Sequence, residues 1–105
     1  MGYYTNYSLF IKNATEQEED EIVAILKEVI GDPLDGGNGE YYTYGKWYNH
    51  EEDLLKISEQ YPKLFFILDG NGEDGDLWRI YVQNGKRQVT QGRVVYEDYD
   101  PKKME

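Results

Sequence analysis

Residues Thr15 to Gly31 read TEQEEDEIVAILKEVIG, and this run specifies a helix together with both of its ends. The first four residues match a capping box, in which the Thr15 hydroxyl accepts a backbone N–H three residues on and Glu18 reaches back. Apolar residues then follow at the spacing of an amphipathic helix, at Ile22, Ile25, Leu26, Val29 and Ile30. Gly31 supplies a left-handed stop. We therefore predict one helix that ends there and packs through its apolar stripe.

Segments typical of strands lie on both sides of this helix. Tyr3 to Lys12 alternates, with Tyr7, Leu9 and Ile11 on one face, and is predicted to be the first strand. The Gly-rich run from Asp32 to Gly39 predicts a mobile surface loop without regular structure. Further strands are expected at Tyr41–Trp47, Lys63–Asp69, Asp76–Gln83 and Lys86–Tyr96, the last two joined by a type I′ turn at Asn84-Gly85.

A second, shorter helix is predicted from a cap at Asn49 to about Gln60, where Pro62 ends it. The resulting order is βαβαβββ. A two-layer α+β sandwich, with a mainly antiparallel sheet of four to five strands and two helices on one face, is the economical solution. We expect a single domain over residues 1–96 and a polar tail over residues 97–105.

The composition excludes several kinds of protein. The 105 residues carry a formal charge of -10 and no cysteine, which removes disulfide frameworks, zinc knuckles, iron–sulfur sites and thiol nucleophiles. The longest mainly apolar run, Leu64 to Leu68, is too short to span a membrane, and residues 1–6 lack the pattern of a secretory signal. We therefore expect a cytoplasmic protein that contacts neither membrane nor nucleic acid directly, since both are anionic.

Two features invite interpretation as a chemical site. His50, the one histidine, stands at a predicted helix start with no nucleophile to serve, and we expect a surface histidine and no enzymatic activity. The run from Asp69 to Asp76 alternates oxygen ligands but fails the EF-hand template at Asp74 and Ile80. We interpret it as an acidic turn, with a weak calcium site left open and no cofactor expected.

The acidic excess and the tyrosines suggest a binding surface. Five of the six residues from Glu16 to Glu21 are acidic, and solvated charge is the ordinary explanation. The sharper one is a surface that imitates the phosphates of nucleic acid and binds a basic groove on another protein, with exposed tyrosines as anchors. The residues predicted to contact the partner are Glu16, Glu18, Glu19, Asp20, Glu21, Glu28, Tyr41, Tyr42 and Tyr44.

The span from Lys46 to Tyr96, roughly half of the chain and including the turn Asn84-Gly85-Lys86, resembles a known family. It contains a Trp before the helix, a Ser-x-x-Tyr-Pro helix end, a Gly-x-Gly-Glu turn and an Asp-x-Trp-x-x-Tyr strand, at Trp47, Ser58–Pro62, Gly70–Glu73 and Asp76–Tyr81. This pattern is similar to the YubB-type ferredoxin-like domain of phage and mobile-element accessory proteins, some of them associated with antirestriction. The resemblance implies a ferredoxin-like fold and an anti-defence setting.

Together these observations predict a non-enzymatic inhibitor, of anti-CRISPR or antirestriction type, that binds a basic nucleic-acid-binding surface of a host defence protein. The alternative is an intracellular assembly module that forms a homodimer through an aromatic face of its sheet. A small enzyme has the least support.

Overall fold

The computed structural model describes residues 4–31, 34–72, 75–92 and 100–103. Six strands and two helices follow in the order βαββαβββ. Their bounds are β1 Thr5–Lys12, α1 Glu16–Ile30, β2 Asp35–Gly37, β3 Glu40–Gly45, α2 His50–Gln60, β4 Phe65–Gly72, β5 Leu77–Gln83 and β6 Lys86–Gln91, with a 3₁₀ turn at Pro101–Lys103.

The strands form one antiparallel sheet in the order β2-β3-β1-β4-β5-β6. Strand β1 is central and pairs antiparallel with both β3 and β4. Strands β3 and β4 therefore run parallel to each other, and α2 connects them across β1. The α+β class is confirmed, but the expected four to five strands and the order βαβαβββ are wrong. The sheet has six strands, and its order departs from the expected ferredoxin-like arrangement.

Helix α1 forms as its sequence predicts. The Thr15 hydroxyl accepts from the backbone N–H of Glu18 at 3.2 Å, and the Glu18 carboxylate accepts from that of Thr15 at 2.9 Å. Gly31 ends the helix in the left-handed conformation at φ 78°. Ile22, Leu26 and Ile30 are buried, so the capping box and the apolar stripe together determine where this helix begins, ends and packs.

The predicted loop from Asp32 to Gly39 is wrong over its described part. Asp35–Gly37 pairs with β3 as the edge strand β2, and Asn38 and Gly39 form a two-residue turn with φ 54° and 82°. Positive φ at both positions is typical of the type I′ hairpin that Asn-Gly favours. A side chain at Gly39 would also lie 2.7 Å from the Ile11 carbonyl oxygen. The glycines therefore build a hairpin, which adds the strand that the sequence pattern did not predict.

Helix α2 spans the predicted residues but begins differently. Asn49 makes no side-chain cap hydrogen bond, so the predicted capping box there is wrong. The helix is held instead by packing of Leu54 and Ile57 and by the buried Ser58. The Ser58 hydroxyl accepts from the Gly85 backbone N–H at 2.9 Å, which ties α2 to the β5–β6 turn.

The last three strands form the predicted antiparallel meander, with Asn84 and Gly85 at positive φ in the tight turn. Strand β4 begins two residues later than predicted, because residues 61–63 form a turn after α2, and it continues to Gly72 through its pairing with Thr5. The predicted end of the last strand at Tyr96 and the boundary between residues 96 and 97 lie outside the described residues.

One hydrophobic core lies between the sheet and the two helices. The sheet contributes Leu9, Phe66, Leu68, Ile80 and Val82, each at most 2% exposed. Alternation sends their sequence neighbours to the opposite side of the sheet, which none of the described elements covers. We call α1 and α2 the helix layer and that opposite side the open face. No helix in the described ranges is long and apolar enough to cross a membrane.

Candidate binding surface

Most of the chain's net negative charge lies in the helix layer. Helix α1 carries six carboxylates and one lysine, and α2 carries four carboxylates and one lysine. The helix layer therefore has a net charge of -8, against -10 for the whole chain. The strand residues that point to the open face include three acidic and three basic side chains, Asp35, Glu40, Asp69, Lys12, Arg79 and Lys86. The open-face strand residues thus balance in charge, whereas the helix layer has a large net negative charge.

The Glu19 carboxylate is built into the fold. Its Oε1 accepts from the Gly39 backbone N–H and from the Tyr41 hydroxyl, each at 2.7 Å. Burial, together with the hydrogen bond to Glu19, raises the pKa of Tyr41 to about 12. This carboxylate therefore holds the β2–β3 turn against α1, a role that its place in an acidic run does not reveal.

Two more carboxylates of α1 are fixed by hydrogen bonds. Glu18 completes the capping box. The Glu21 Oε2 atom accepts from the Tyr61 hydroxyl at 2.7 Å, a bond that raises the pKa of that tyrosine and joins α1 to the end of α2. Both acids are partly or fully exposed, so their charge is presented to solvent in a defined position.

Glu16, Asp20 and Glu28 are exposed and make no hydrogen bond or ion pair within the described residues. Glu16 and Asp20 lie with Glu19 beside a depression of about 490 Å³ between α1 and the β2–β3 hairpin. The helix dipole favours Glu16, which lies in the first turn of α1, but Asp20 and Glu28 lie beyond that turn and have no such support. Asp20 and Glu28 are the part of the predicted surface for which the fold gives no reason.

The predicted tyrosines do not share that surface. Tyr41 is 7% exposed and points into the helix layer, so the expectation that it serves as an exposed anchor is wrong. Tyr42 and Tyr44 are 46% and 55% exposed, but they lie on the open face, on the other side of the sheet from α1. The cause is the two-residue period of a strand, which separates neighbours across the sheet.

The open face is aromatic and close to neutral. The registers of the strands place Phe10, Ile67 and Tyr81 in one row across β1, β4 and β5, and each is partly exposed. Beside them Arg79 forms a bidentate pair with Asp69, with Nη2 and Oδ2 2.8 Å apart. Tyr44 stacks on Tyr4 at 5.1 Å between ring centroids. This surface suits contacts through rings and apolar groups.

His50 belongs to an aromatic cluster that the sequence did not predict. Its ring is half-buried and stacks on Trp78 with centroids 4.6 Å apart, and its Nδ1 lies 2.9 Å from the Trp47 carbonyl oxygen. A carbonyl only accepts, so Nδ1 carries the proton. His50 lies in the first turn of α2 as expected, but its ring packs into this cluster and is not a free surface side chain; no nucleophilic side chain hydrogen bonds to it within the described residues.

The cluster depends on a glycine opposite the tryptophan. A Cβ at Gly70 would lie 2.1 Å from the Trp78 ring, so the glycine leaves the space that the indole fills. Gly70 pairs with Trp78 across β4 and β5, and this pairing would have indicated the contact. It could not be read from the sequence, because it depends on the register of the two strands.

The described part of the acidic turn contains no metal centre. Asp69 is paired with Arg79, and the described residues include no group of three or more ligands that could hold a metal ion. Glu73 and Asp74 lie outside the described residues, and so the weak calcium site stays a prediction.

Comparison of the chain with protein-family models, with curated proteins and with solved structures finds no match. The resemblance to YubB-type domains accordingly stays a prediction based on the motifs between Trp47 and Lys86.

Proposed function

We propose that this chain is a non-enzymatic inhibitor whose helix layer binds a basic, nucleic-acid-binding surface of another protein. The observation that carries the proposal is the net charge of -8 on the helix layer beside a neutral open face. A protein that imitates nucleic acid needs its carboxylates on one side and in fixed positions, because charge complementarity governs the rate and the register of association. Hydrogen bonds to Glu18, Glu19 and Glu21 supply that fixity.

The proposed setting is the one that the family resemblance implies, a phage or mobile element that counters a host nuclease. Glu16, Asp20 and Glu28 are the contact residues, since they are exposed and have no partner among the described residues, and the backbone of α1 holds them beside the carboxylates that are fixed by hydrogen bonds. Tyr42 and Tyr44 take no part in this contact, because they lie on the opposite side of the sheet.

A pair of double variants with equal net charge tests the proposal. Asp20→Lys with Glu28→Lys changes the helix layer, and Asp35→Lys with Glu40→Lys makes the same change at the open face. The measurement is displacement of fluorescent duplex DNA from a panel of restriction and CRISPR effector nucleases. We expect the wild type and the open-face variant to displace DNA from one of them, the helix-layer variant to fail, and displacement to weaken steeply with salt. Equal displacement by both variants would contradict the proposal.

The open face supports a second candidate function, assembly of a homodimer. Its row of partly exposed Phe10, Ile67 and Tyr81 and its balanced charges favour contact with a second copy, whereas two helix layers repel each other. Sedimentation velocity at two concentrations distinguishes the candidates, since this function requires self-association that Ile67→Lys abolishes, and an inhibitor can act as a monomer.

A further inference from the structure

Helix α1 has one more row of apolar residues than the sheet covers. Ile22, Leu26 and Ile30 are buried against the core, but Ile25 is half-buried and Val29 is 48% exposed. Ile25 and Val29 are four residues apart and so are neighbours on one face of the helix. Their row turns toward α2, where it meets Ile57.

Between the two helices this row forms a notch of about 170 Å³ that is open to solvent. It is lined by three apolar residues, of which Ile57 is buried, and three polar ones: Ile25, Val29, Ile57, Asp53, Lys56 and Gln60. A cavity of about 150 Å³ with aliphatic walls is large enough for a benzene-sized group. The notch is therefore the size of one aliphatic side chain.

The charges around the notch indicate what kind of chain brings that side chain. Glu21 precedes Ile25 by one turn, Glu28 adjoins Val29 in the sequence and Asp53 lines the notch, so carboxylates flank the apolar row. The one lysine that lines the notch, Lys56, already pairs with Glu52 at 3.4 Å. A second copy of this chain would bring a helix layer of the same sign, which disfavours it as the occupant.

We propose that the notch is the anchor point of the binding surface, and that it takes one leucine-like side chain from a Lys/Arg-rich segment of the partner. The inference rests on the proposed function and adds to it the source of affinity. Charge sets the rate and register of such a contact, whereas a buried apolar anchor surrounded by polar groups supplies most of the binding energy.

The experiment uses two synthetic Lys/Arg-rich helical peptides that differ at one central position, leucine in one and serine in the other. Their affinities for the wild type, Val29→Ser and Val89→Ser are measured by fluorescence anisotropy at two salt concentrations. Val89 is the matched control, because it is 46% exposed but lies on β6, away from the notch. Valine and serine have similar helix propensities, and Val29 is exposed, so Val29→Ser should fold.

We expect the wild type to prefer the leucine peptide by roughly fivefold, the factor for burying about half a leucine side chain. Val29→Ser should remove this preference and Val89→Ser should keep it. Salt-sensitive binding of both peptides with equal affinity would overturn the notch and leave the acidic surface intact. Failure of the wild type to bind either peptide at low salt would overturn both proposals.

Discussion

The helix layer and the open face lie on opposite sides of one sheet and differ first in charge and then in how their residues are held. The helix layer has a net charge of -8, and several of its carboxylates accept hydrogen bonds from distant parts of the chain. The open face is neutral and carries aromatic side chains in contact with one another, Tyr4 stacked on Tyr44 and Phe65 edge-to-face with Tyr81. A composition of 21 acidic residues and 11 tyrosines does not show this division, because alternation along the strands creates it.

The largest expected effect compares two neighbouring phenylalanines of β4. Phe66 is fully buried under the helices, and Phe65 is half-buried on the open face beside Tyr81. Phe66→Ala should lower the free energy of unfolding by about 3–5 kcal/mol, and Phe65→Ala by about 1 kcal/mol. Urea denaturation followed by circular dichroism measures both. Similar losses would mean that the open face is covered in solution, as a homodimer requires.

The next effect separates two adjacent acids of α1. Glu19→Ala leaves the Gly39 N–H and the Tyr41 hydroxyl without their acceptor, whereas Asp20→Ala removes a charge with no hydrogen-bond partner among the described residues. We expect a loss of about 2 kcal/mol for Glu19→Ala and none for Asp20→Ala, measured by the same denaturation. A loss at Asp20 equal to that at Glu19 would refute the distinction between structural and free carboxylates.

Local signals in the sequence predicted much of the fold. The capping box at Thr15, the stop at Gly31 and the turn at Asn84-Gly85 act within a few residues, and all three are confirmed. The same dipeptide at Asn38-Gly39 was missed, because the surrounding glycines have low strand propensity and suggested a loop. Pairing with β3 stabilises β2 there, and pairing is a property of the sheet.

The candidate site was harder to predict, because its division depends on contacts between distant residues. The sequence shows that Tyr41, Tyr42 and Tyr44 are in a strand, but not which of them faces the helices. Glu19 and Tyr41 are 22 residues apart, and Glu21 and Tyr61 are 40 apart. The two-residue repeat of a strand and the 3.6-residue repeat of a helix relate only residues within one element. The sequence therefore could not show which carboxylates accept hydrogen bonds from distant tyrosines and which have no partner.

A smaller effect concerns the titration of Tyr41 in the helix layer. Its pKa is raised from 10.0 to about 12, so the folded state favours the protonated hydroxyl. That contribution is complete below pH 10 and is lost as the pH rises toward 12. Tyr41→Phe has nothing to titrate there, so the wild type should lose about 1 kcal/mol more than the variant between those pH values, after allowance for solvent near the hydroxyl.

Urea denaturation of both proteins at pH 9 and pH 11.5 measures this difference. Tyr42→Phe is the control from the open face, since Tyr42 is exposed and the charge of Glu40 is the main cause of its raised pKa. If Tyr41→Phe and Tyr42→Phe lose the same free energy of unfolding between pH 9 and pH 11.5, the coupling of Tyr41 to Glu19 is not the cause of the alkaline loss of stability.

The smallest effect tests whether the charge of the helix layer opposes folding. Asp20→Asn with Glu28→Gln removes two of its unpaired carboxylates and should raise the free energy of unfolding by about 0.5 kcal/mol at low salt. The matched Asp35→Asn with Glu40→Gln at the neutral open face should give no gain, since Glu40 accepts from the Tyr42 hydroxyl.

Repeating the denaturation at high salt tests whether repulsion between carboxylates is the cause of this gain in stability. The screening length falls from about 30 Å at 0.01 M to about 3 Å at 1 M, so the gain of the helix-layer variant should vanish at high salt. A gain in stability that persists in 1 M salt would come from helix propensity or capping, because salt does not screen these two contributions. If the gain vanishes at high salt, repulsion among the carboxylates of the helix layer lowers the stability of the wild type. A surface that costs stability in this way is expected where the charge serves binding to a basic partner.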